Sequence, residues 1–238
     1  MNMLITGTSK GIGLELFNYF KSSYNIITVN RSINIGTSNN IKCDLSNSDD
    51  IIKLCKTISD LDIDIVINNS GGSQPLKFEC LDYKIIESIL NLNFVAPTLI
   101  MKSVLPKLAK KDYGRVINIS SISAKEATPY LHIYSASKSA LNSVTQSCAK
   151  QYSNDNITIN AICPGIISTE SSITGRKAIS QLKGELPNVY EKQMLTNANL
   201  ESLISPIEVV KYIEFLLSHN AKSISGQLLN ICGSLIMN

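Results

Sequence analysis

A tyrosine and a lysine four residues apart, Tyr134 and Lys138, are the pair in this sequence best suited to move a proton together. Both lie near the start of a segment with helical periodicity, so their side chains would share one helix face. A free tyrosine has a pKa of about 10, and a neighbouring ammonium group lowers it by stabilising the phenolate. An isolated Tyr-x-x-x-Lys pair is nevertheless common by chance and would then be a surface pair. Acid–base chemistry therefore requires support from other residues.

Two polar residues stand where such support would come from. Ser121 lies thirteen residues before Tyr134, at the end of a predicted strand, and Asn93 lies in a long helical stretch that Pro97 interrupts. The rival residues are Ser120, Ser123, Tyr130 and Asn91. Spacing to Tyr134 favours Ser121 over its neighbours, and Tyr130 has no lysine four residues later. Asn93 would otherwise satisfy backbone groups where the helix is broken, and His132 and His219 are interpreted as a loop and a surface residue.

The start of the chain combines an apolar run, a glycine-rich loop and a helical pattern. Gly7, Gly11 and Gly13 lie between the apolar run and the helical segment Leu14–Phe20, which predicts a strand, a tight turn and a helix N-terminus. Glycines have no Cβ, so a pyrophosphate can approach the backbone N–H groups, whose partial positive charge favours an anion. The alternative is a glycine-rich connection and nothing more. Its place between strand and helix favours a nucleotide site.

Predicted strands and helices alternate along the chain. The strands cover the run before Gly7 and residues 25–30, 41–45, 63–67, 114–120, 157–162 and 227–231. The helices cover residues 14–20, 47–59, 81–111 with an interruption, 133–152 and 206–217. This alternation predicts a doubly wound parallel sheet of about seven strands with helices on both faces, in one domain over residues 1–238. Residues 170–205 are polar and only weakly helical; because they follow a strand's carboxyl end, we expect a substrate lid.

Composition excludes several classes of protein. The chain has 238 residues, of which 44% are hydrophobic and 17% charged, and its net charge of +3 comes from scattered basic residues, so nucleic acid is not an expected partner. No apolar run approaches the roughly 20 residues that cross a bilayer, and nothing resembles a secretory signal, so we expect a cytoplasmic protein without membrane contact. Six scattered cysteines without a Cys-x-x-Cys motif are interpreted as core thiols, with neither zinc nor disulfides.

Together these features resemble the short-chain dehydrogenase/reductase family. The glycine loop has the spacing Gly-x-x-x-Gly-x-Gly after Thr6, and the motifs Asn68-Asn-Ser-Gly71, Pro164-Gly165 and Ser225-Gly-Gln227 follow in the family's order. Asn93, Ser121, Tyr134 and Lys138 look like its catalytic tetrad. The resemblance covers essentially the whole chain and implies a Rossmann fold that binds a nicotinamide cofactor.

The resemblance also implies a role for each tetrad residue. A carbonyl that accepts hydride becomes an alkoxide and needs a proton, which Tyr134 would supply. Lys138 would lower the pKa of that tyrosine and hold the nicotinamide ribose, and Ser121 would hydrogen-bond the substrate oxygen, an effect of about 2–4 kcal/mol. Asn93 would hold a water that passes protons to Lys138.

The expected cofactor is NADP(H) in preference to NAD(H). The family's NAD enzymes usually carry an acidic residue at the end of the second strand, where this chain has Asn30, and the next residue is Arg31. Arg31 and Lys10 resemble the basic pair of the NADP(H)-preferring branch, although Arg31 could instead lie in a solvent loop. Asp44 and Leu45 would flank the adenine, and Ile167 and Thr169 would meet the nicotinamide. The expected cofactor-binding residues are Gly7, Ser9, Lys10, Gly11, Ile12, Gly13, Arg31, Asp44, Leu45, Asn69, Gly71, Tyr134, Lys138, Pro164, Gly165, Ile167 and Thr169.

The resemblance leaves the substrate open. A 3-oxoacyl thioester is the default, because reductases of 3-oxoacyl-acyl-carrier protein are common members of this length. Asp112 and Asp155 replace arginines that dock the acidic carrier in those reductases, and like charges repel. Lys110, Lys111 and Lys150 could substitute, or lid residues Arg176, Lys177 and Lys183 could meet an anionic substrate such as a nucleotide sugar. A non-catalytic NADP(H)-binding regulator and a cofactor-free α/β domain are the remaining alternatives; a homotetramer or homodimer is expected.

Overall fold

Seven parallel strands form one sheet at the centre of the molecule. The computed structural model describes residues 1–32, 39–153 and 156–237. The strands are β1 (Asn2–Thr6), β2 (Asn25–Asn30), β3 (Asn40–Lys42), β4 (Ile65–Asn68), β5 (Gly114–Ile119), β6 (Ile157–Pro164) and β7 (Leu228–Ile231). Their order across the sheet is β3-β2-β1-β4-β5-β6-β7. The prediction of a doubly wound parallel sheet is confirmed.

Helices cover both faces of the sheet. They are α1 (Gly11–Phe20), α2 (Ser48–Ser59), α3 (Tyr83–Leu90), α4 (Ala96–Leu108), α5 (His132–Gln151), α6 (Glu170–Lys183), α7 (Pro187–Asn197) and α8 (Pro206–Leu217). Asn47 caps α2 as its sequence indicates, because its side chain accepts a hydrogen bond from the backbone N–H of Asp50. Ser205 and Glu208 form a capping box at the start of α8.

The prediction for the segment after β6 was wrong in one respect. Residues 170–205, which the sequence predicts to be only weakly helical, contain the two regular helices α6 and α7. Thr169 caps the first through the backbone N–H of Ser172, Gly184 ends it at a φ of 73°, and Pro187 begins the second. These capping signals are present in the sequence. The apolar periodicity between them is weak because each helix buries only a few residues.

The strands alternate between two hydrophobic layers. Leu4, Val66 and Val116 face the layer that contains α2 and α4, and Ile5 and Ile117 face the layer that contains α1 and α8. Period-two alternation with apolar residues on both sides is what a parallel sheet covered on both faces requires. The core therefore sits on both sides of β1, β4 and β5 and holds their carboxyl ends in fixed register.

One helical stretch of the described chain, Tyr83–Leu108, is long and apolar enough to cross a membrane by length and composition. Its second half packs against the sheet, and Ile100 and Met101 are fully buried there. That packing is typical of a core helix.

The sheet has a topological switch point between β1 and β4. β1 pairs with β2 on one side and with β4 on the other, so the connections after β1 and β4 leave the sheet in opposite directions. Ligands in open α/β sheets bind in the crevice that forms at such a point, beyond the carboxyl ends of the strands. The glycine loop follows β1 there, and the motif Asn68-Asn-Ser-Gly71 follows β4.

The α6–α7 segment leaves and rejoins the fold at one place. Ile167 and Ile204 form a parallel bridge, Ser168 N–H donates to Ile204 C=O at 2.8 Å, and Ile204 N–H donates to Ile166 C=O at 3.0 Å. We call this pairing the neck of the segment. It joins the end of β6 to the approach of α8, so both helices project from the carboxyl edge of the sheet.

Candidate active site

The glycine loop is held by the residues that follow β4. The Asn69 side chain donates to the carbonyls of Thr6 at 3.0 Å and Gly7 at 2.9 Å, and the Thr6 hydroxyl accepts from the backbone N–H groups of Asn69 and Ser70. A Cβ on Gly13 would lie 1.9 Å from Gly7 O, so only glycine fits. Asn69 is predicted to contact a cofactor; in this structure its side chain also holds the glycine loop in shape.

The N-terminus of α1 fits a phosphate. Gly7 and Gly11 have φ values of 73° and 58°, which favour glycine, and they turn the chain from β1 into α1. No described side chain caps α1, so the first backbone N–H groups of the helix, around Ile12 and Gly13, have no intrahelical partner. Uncapped N–H groups and the helix dipole attract an anion. Ser9 and Lys10 lie on the exposed side of this loop.

Asn30 braces the loop from β2. Its Oδ1 accepts from Thr8 N–H at 2.7 Å, and its Nδ2 donates to Thr8 Oγ1 at 2.9 Å and to Asn40 Oδ1 at 3.0 Å. Asn30 is only 5% exposed. The residue at the end of β2 therefore brings no carboxylate to this side of the crevice. Sequence reasoning missed the bracing role, because nothing in the sequence pairs Asn30 with Thr8.

Arg31 is the next residue and is exposed. Burial raises the pKa of Asp44, whereas hydrogen bonds from Ser46 and the charge of Arg31 lower it. The net shift of this pKa is downward. Arg31 and Asp44 therefore lie close enough to interact. Leu45 is buried beneath them in the core. The residues expected at the adenine end thus lie together at the carboxyl ends of β2 and β3.

Three tetrad residues come from β5 and α5. Ser121 lies two residues after the end of β5, and its side chain is close enough to Tyr134 to lower the pKa of that phenol. Lys138 is 3% exposed; its Nζ donates to Ile119 C=O at 2.7 Å and lies 6.0 Å from the centroid of the Tyr134 ring. The helical spacing of Tyr134 and Lys138 thus places both groups beside the end of β5, as predicted.

Asn93 reaches the same place through a distorted helix turn. Asn91–Val95 is one turn of π-helix between α3 and α4, and Asn93 is fully buried in it. Its Oδ1 accepts from Gly72 N–H at 3.1 Å, while its Nδ2 donates to Gly72 C=O at 2.9 Å and Ile89 C=O at 3.0 Å. A Cβ on Gly71 would lie 3.1 Å from Asn93 Oδ1 and 3.2 Å from Lys138 Nζ, so both groups line the Gly71 backbone. π-turns occur frequently at functional sites.

Burial sets the protonation of the tetrad. Desolvation lowers the pKa of Lys138 to about 8. Burial raises the pKa of Tyr134, and the hydrogen bond from Ser121 only partly offsets that increase. The net shift of the Tyr134 pKa is therefore upward, opposite to the lowering by Lys138 that the sequence suggests. Tyr134 is a neutral phenol at neutral pH, which is the form that donates a proton.

The rival residues do other work. Asn91 donates to Ser46 C=O at 3.1 Å, and Ser120 Oγ is 3.4 Å from Lys138 C=O. Tyr130 has a positive φ of 66° and packs on the α6–α7 segment. His132 stacks edge-on against Phe78 at 5.2 Å. Ser123 N–H donates to Ser121 Oγ at 3.1 Å, which helps to orient that side chain.

The residues expected at the nicotinamide end close the crevice opposite the glycine loop. Pro164 ends β6, and Gly165 N–H donates to Ile231 C=O at 2.8 Å. Ile167 forms the neck, and a Cβ on Gly11 would lie 3.2 Å from Thr169 Cγ2. Lys10 forms an exposed ion pair with Glu170 at 3.6 Å. The start of α6 thus contacts the glycine loop across the crevice.

The described chain offers no group of three His, Cys, Asp or Glu residues arranged to hold a metal. All six cysteines are free thiols, and Cys43, Cys163 and Cys232 are buried. Cys80 is exposed, so the expectation of core thiols was wrong for that residue. Cys163 lies behind the tetrad, where burial raises its pKa.

The sequence profile described as short chain dehydrogenase matches residues 1–179. This stretch runs from the glycine loop through Asn93, Ser121, Tyr134 and Lys138 into α6. The chain belongs to the short-chain dehydrogenase family. Members of this family are oxidoreductases, and its nicotinamide chemistry suits the glycine loop and the tyrosine site just described.

Individual relatives agree in extent and fold. A 3-oxoacyl-[acyl-carrier-protein] reductase from Synechocystis is 28% identical and aligns with 98% of this chain and 96% of its own. A solved short chain dehydrogenase family protein from Francisella tularensis is 26% identical over 98% of both chains, with a TM-score of 0.88. A 4-hydroxyisoleucine dehydrogenase complexed with NADH is 27% identical over 98% of both chains, with a TM-score of 0.86. The similarity to each of these three proteins extends over 98% of this chain.

Proposed function

We propose that this short-chain dehydrogenase is an NADP(H)-dependent reductase that converts a ketone into a secondary alcohol, with a 3-oxoacyl thioester or a related 3-oxo compound as substrate. The observation that carries the proposal is the meeting of Asn93, Ser121, Tyr134 and Lys138 at the carboxyl ends of β4 and β5. A non-catalytic binding protein would have no use for a buried lysine beside a phenol. The cofactor, when bound, supplies the hydride.

The residues that line the crevice have distinct roles in this reaction. The glycine loop and the N-terminus of α1 bind the pyrophosphate, and Ile167 and Thr169 bound the nicotinamide end. Ser121 donates a hydrogen bond to the substrate oxygen, and Tyr134 donates the proton that completes the alcohol. Lys138 holds the ribose hydroxyls and, with Asn93 and a water, restores the proton on Tyr134. The α6–α7 segment acts as the substrate lid over residues 170–205.

The test is oxidation of NADPH by the purified protein in the presence of an acetoacetyl thioester. We expect turnover that requires both the thioester and Tyr134, so the variant Tyr134→Phe serves as the blank. Turnover equal to that of the blank, in protein that still binds NADPH, would reject the proposal.

Two observations support NADP(H) as the cofactor. Asn30 brings no carboxylate to repel a 2′-phosphate, and the guanidinium of Arg31 is exposed beside Asp44. Lys10 lies across the loop, where it forms an exposed ion pair with Glu170. An exposed ion pair costs little to exchange for a phosphate contact. The NADH complex of a solved relative shows that the family alone does not decide this point.

Changing Arg31 to alanine is expected to raise the dissociation constant of NADPH by about 10- to 100-fold, because a charge-assisted hydrogen bond is lost. The constant for NADH should change by less than about threefold. Fluorescence titration of both cofactors measures the two values. Lys110→Ala, which removes the same charge beyond α4 at the opposite edge of the sheet, is the matched control.

Changing Asn30 to aspartate should move the preference towards NADH, because the carboxylate would repel a 2′-phosphate. The structure can accommodate it: Asn40 Nδ2 has no partner among the described residues, so its amide can flip and donate to the new carboxylate. If the ratio of the dissociation constants for NADPH and NADH is unchanged in both Arg31→Ala and Asn30→Asp, neither residue determines the cofactor preference.

Reduction should depend on pH through Lys138. Its pKa of about 8 means that the ammonium is present below that pH and is lost above it. We therefore expect kcat/KM to be level from pH 6 to 7.5 and to fall about tenfold per pH unit well above 8. Lys138→Arg keeps the charge, so the fall should disappear even if the rate is low. A fall that persists in this variant would belong to another group, such as Cys163.

The surface that would meet a carrier protein is only partly basic. Asp112 is exposed, and Lys111 is bound to Asp62 and Asp64, which takes it out of use. Lys110 and Lys150 remain exposed. Asp155 lies outside the described residues. We therefore propose a free thioester or a weakly docked carrier, and we expect a cytoplasmic homotetramer or homodimer.

A further inference from the structure

The α6–α7 segment presents an apolar wall to the catalytic tyrosine. Leu131, Ile179 and Tyr190 form a buried cluster, and Tyr130, Tyr134 and Met194 pack against it. Ile179 comes from α6, Tyr190 and Met194 come from α7, Tyr134 comes from α5, and Tyr130 and Leu131 come from the turn before α5. The side of Tyr134 that faces the segment is therefore bounded by aliphatic and aromatic groups.

The segment lies over the crevice in a fixed position. The neck holds both of its ends, Glu170 pairs with Lys10 of the glycine loop, and a Cβ on Gly175 would lie 3.8 Å from Ser73 Oγ. These contacts reach the loops after β1, β4 and β6. The apolar cluster is thus held beside the reacting groups.

Two of the four cations of this segment, Arg176 and Lys183, are paired with carboxylates. Arg176 is 6% exposed, and its guanidinium binds Glu191 at 3.0 Å, Ser172 Oγ at 2.6 Å and Ile167 C=O at 3.3 Å. Lys183 pairs with Glu185 at 3.0 Å and lies 4.8 Å from the centroid of the Tyr190 ring. The remaining two, Lys177 and Lys192, are exposed. An anionic substrate could use Arg176 or Lys183 only by displacing the carboxylate that each now binds, Glu191 or Glu185.

We infer that the ketone reduced here carries an uncharged, apolar group next to its carbonyl, and that Tyr190 sets the size of that group. The inference rests on the proposed function and narrows it. A carboxylate or phosphate held against this cluster would lose its hydration without a partner, which is strongly unfavourable. A 3-oxoacyl ester or thioester with an aliphatic or aromatic chain fits the wall, and a keto-sugar nucleotide bound through the segment does not. The Arg176–Glu191 pair is the positioning device, because it joins α6 to α7 and so fixes Tyr190.

Three ketones test the inference: acetoacetate, ethyl acetoacetate and ethyl benzoylacetate, each with NADPH. Acetoacetate has a carboxylate where ethyl acetoacetate has an ester. Ethyl acetoacetate and ethyl benzoylacetate differ in the group attached to the ketone, which is a methyl group in the first and a phenyl ring in the second. We expect kcat/KM for ethyl acetoacetate to exceed that for acetoacetate by about 20-fold or more, because the cost of desolvating a carboxylate falls on acetoacetate alone.

Tyr190→Ala should raise kcat/KM for ethyl benzoylacetate relative to ethyl acetoacetate by about fivefold or more, since truncation opens space beside the carbonyl. Tyr190→Phe keeps the ring and should leave that ratio within about twofold. The dissociation constant of NADPH should not change in either variant. If Tyr190→Ala lowers the melting temperature strongly, Tyr190→Leu gives a smaller truncation for the same ratio.

Two results would overturn the inference. Equal or better reduction of acetoacetate, with that preference lost in Lys183→Gln, would show an anion site on the segment while leaving the proposed function intact. Reduction of neither the acetoacetyl thioester nor any of the three ketones beyond the Tyr134→Phe blank, with NADPH bound, would reject the proposed function and this inference together.

Discussion

Tyr134→Phe is expected to lower kcat for ketone reduction by about 10²- to 10⁴-fold, the range associated with a positioned general acid. The change removes one hydroxyl and keeps the ring that packs against Leu131, Ile179 and Tyr190. The alkoxide formed by hydride transfer then has no tyrosine hydroxyl from which to take a proton. Because Tyr134 is a side wall of the crevice, the dissociation constant of NADPH should stay within about threefold. Steady-state kinetics and cofactor titration measure the two effects separately.

Tyr130→Phe is the matched control, since Tyr130 packs on the same cluster but has no lysine one helical turn later. This variant should retain at least about half of the activity. A similar loss in both variants would mean that the hydroxyls matter for the packing of the α6–α7 segment and that neither is the proton donor. A Tyr134→Phe enzyme with near-normal kcat would remove the tyrosine from the mechanism.

Gly13→Ala is expected to abolish detectable NADPH binding and to lower the free energy of unfolding by on the order of 3 kcal/mol. The new methyl group would lie 1.9 Å from Gly7 O and 2.4 Å from Asn69 Nδ2. Neither atom can move without loss of the hydrogen bonds that hold the glycine loop against the end of β4. Thermal unfolding and fluorescence titration give both values.

Gly175→Ala provides the control for that substitution. A Cβ there would meet only Ser73 Oγ at 3.8 Å, an ordinary contact, and the residue lies inside α6. Alanine in a helix interior should increase stability by about 0.5–1 kcal/mol. If both variants unfold at the wild-type temperature, the close packing of Gly13 on Gly7 is not what constrains the loop.

The alternation of strands and helices and the candidate tetrad could be predicted because they rest on local signals. Alternating apolar runs mark strands buried on two faces, and the spacing of Tyr134 and Lys138 places them on one helix face whatever surrounds them. The glycine loop was equally readable, since its glycines are needed for turn geometry and close approach. These features depend on residues a few positions apart.

Features that depend on distant residues could not be predicted. The bond of Asn30 to Thr8 joins two loops, and the burial that raises the pKa of Tyr134 arises from packing around the tetrad. The sequence suggests that Arg176 could bind an anionic substrate, but in the structure its guanidinium is paired with Glu191, fifteen residues later. The position of a charged residue in the sequence does not show which residue it forms an ion pair with. The helices α6 and α7 were also missed, because their caps were visible but their apolar faces are short.

The neck has a consequence for how such proteins diversify. Ser168 and Ile204 are 36 residues apart in the chain, yet the backbone N–H and the hydroxyl of Ser168 both donate to the carbonyl of Ile204 at the edge of the sheet. The cost of closing a loop grows only slowly with its length, so the excursion between these two residues can lengthen, shorten or be replaced with little effect on the core. Asn93, Ser121, Tyr134 and Lys138 lie outside this excursion, and Thr169 lies at its start. A new substrate range can therefore be acquired by exchanging this one excursion, and the joint marks where a graft from a relative should be cut.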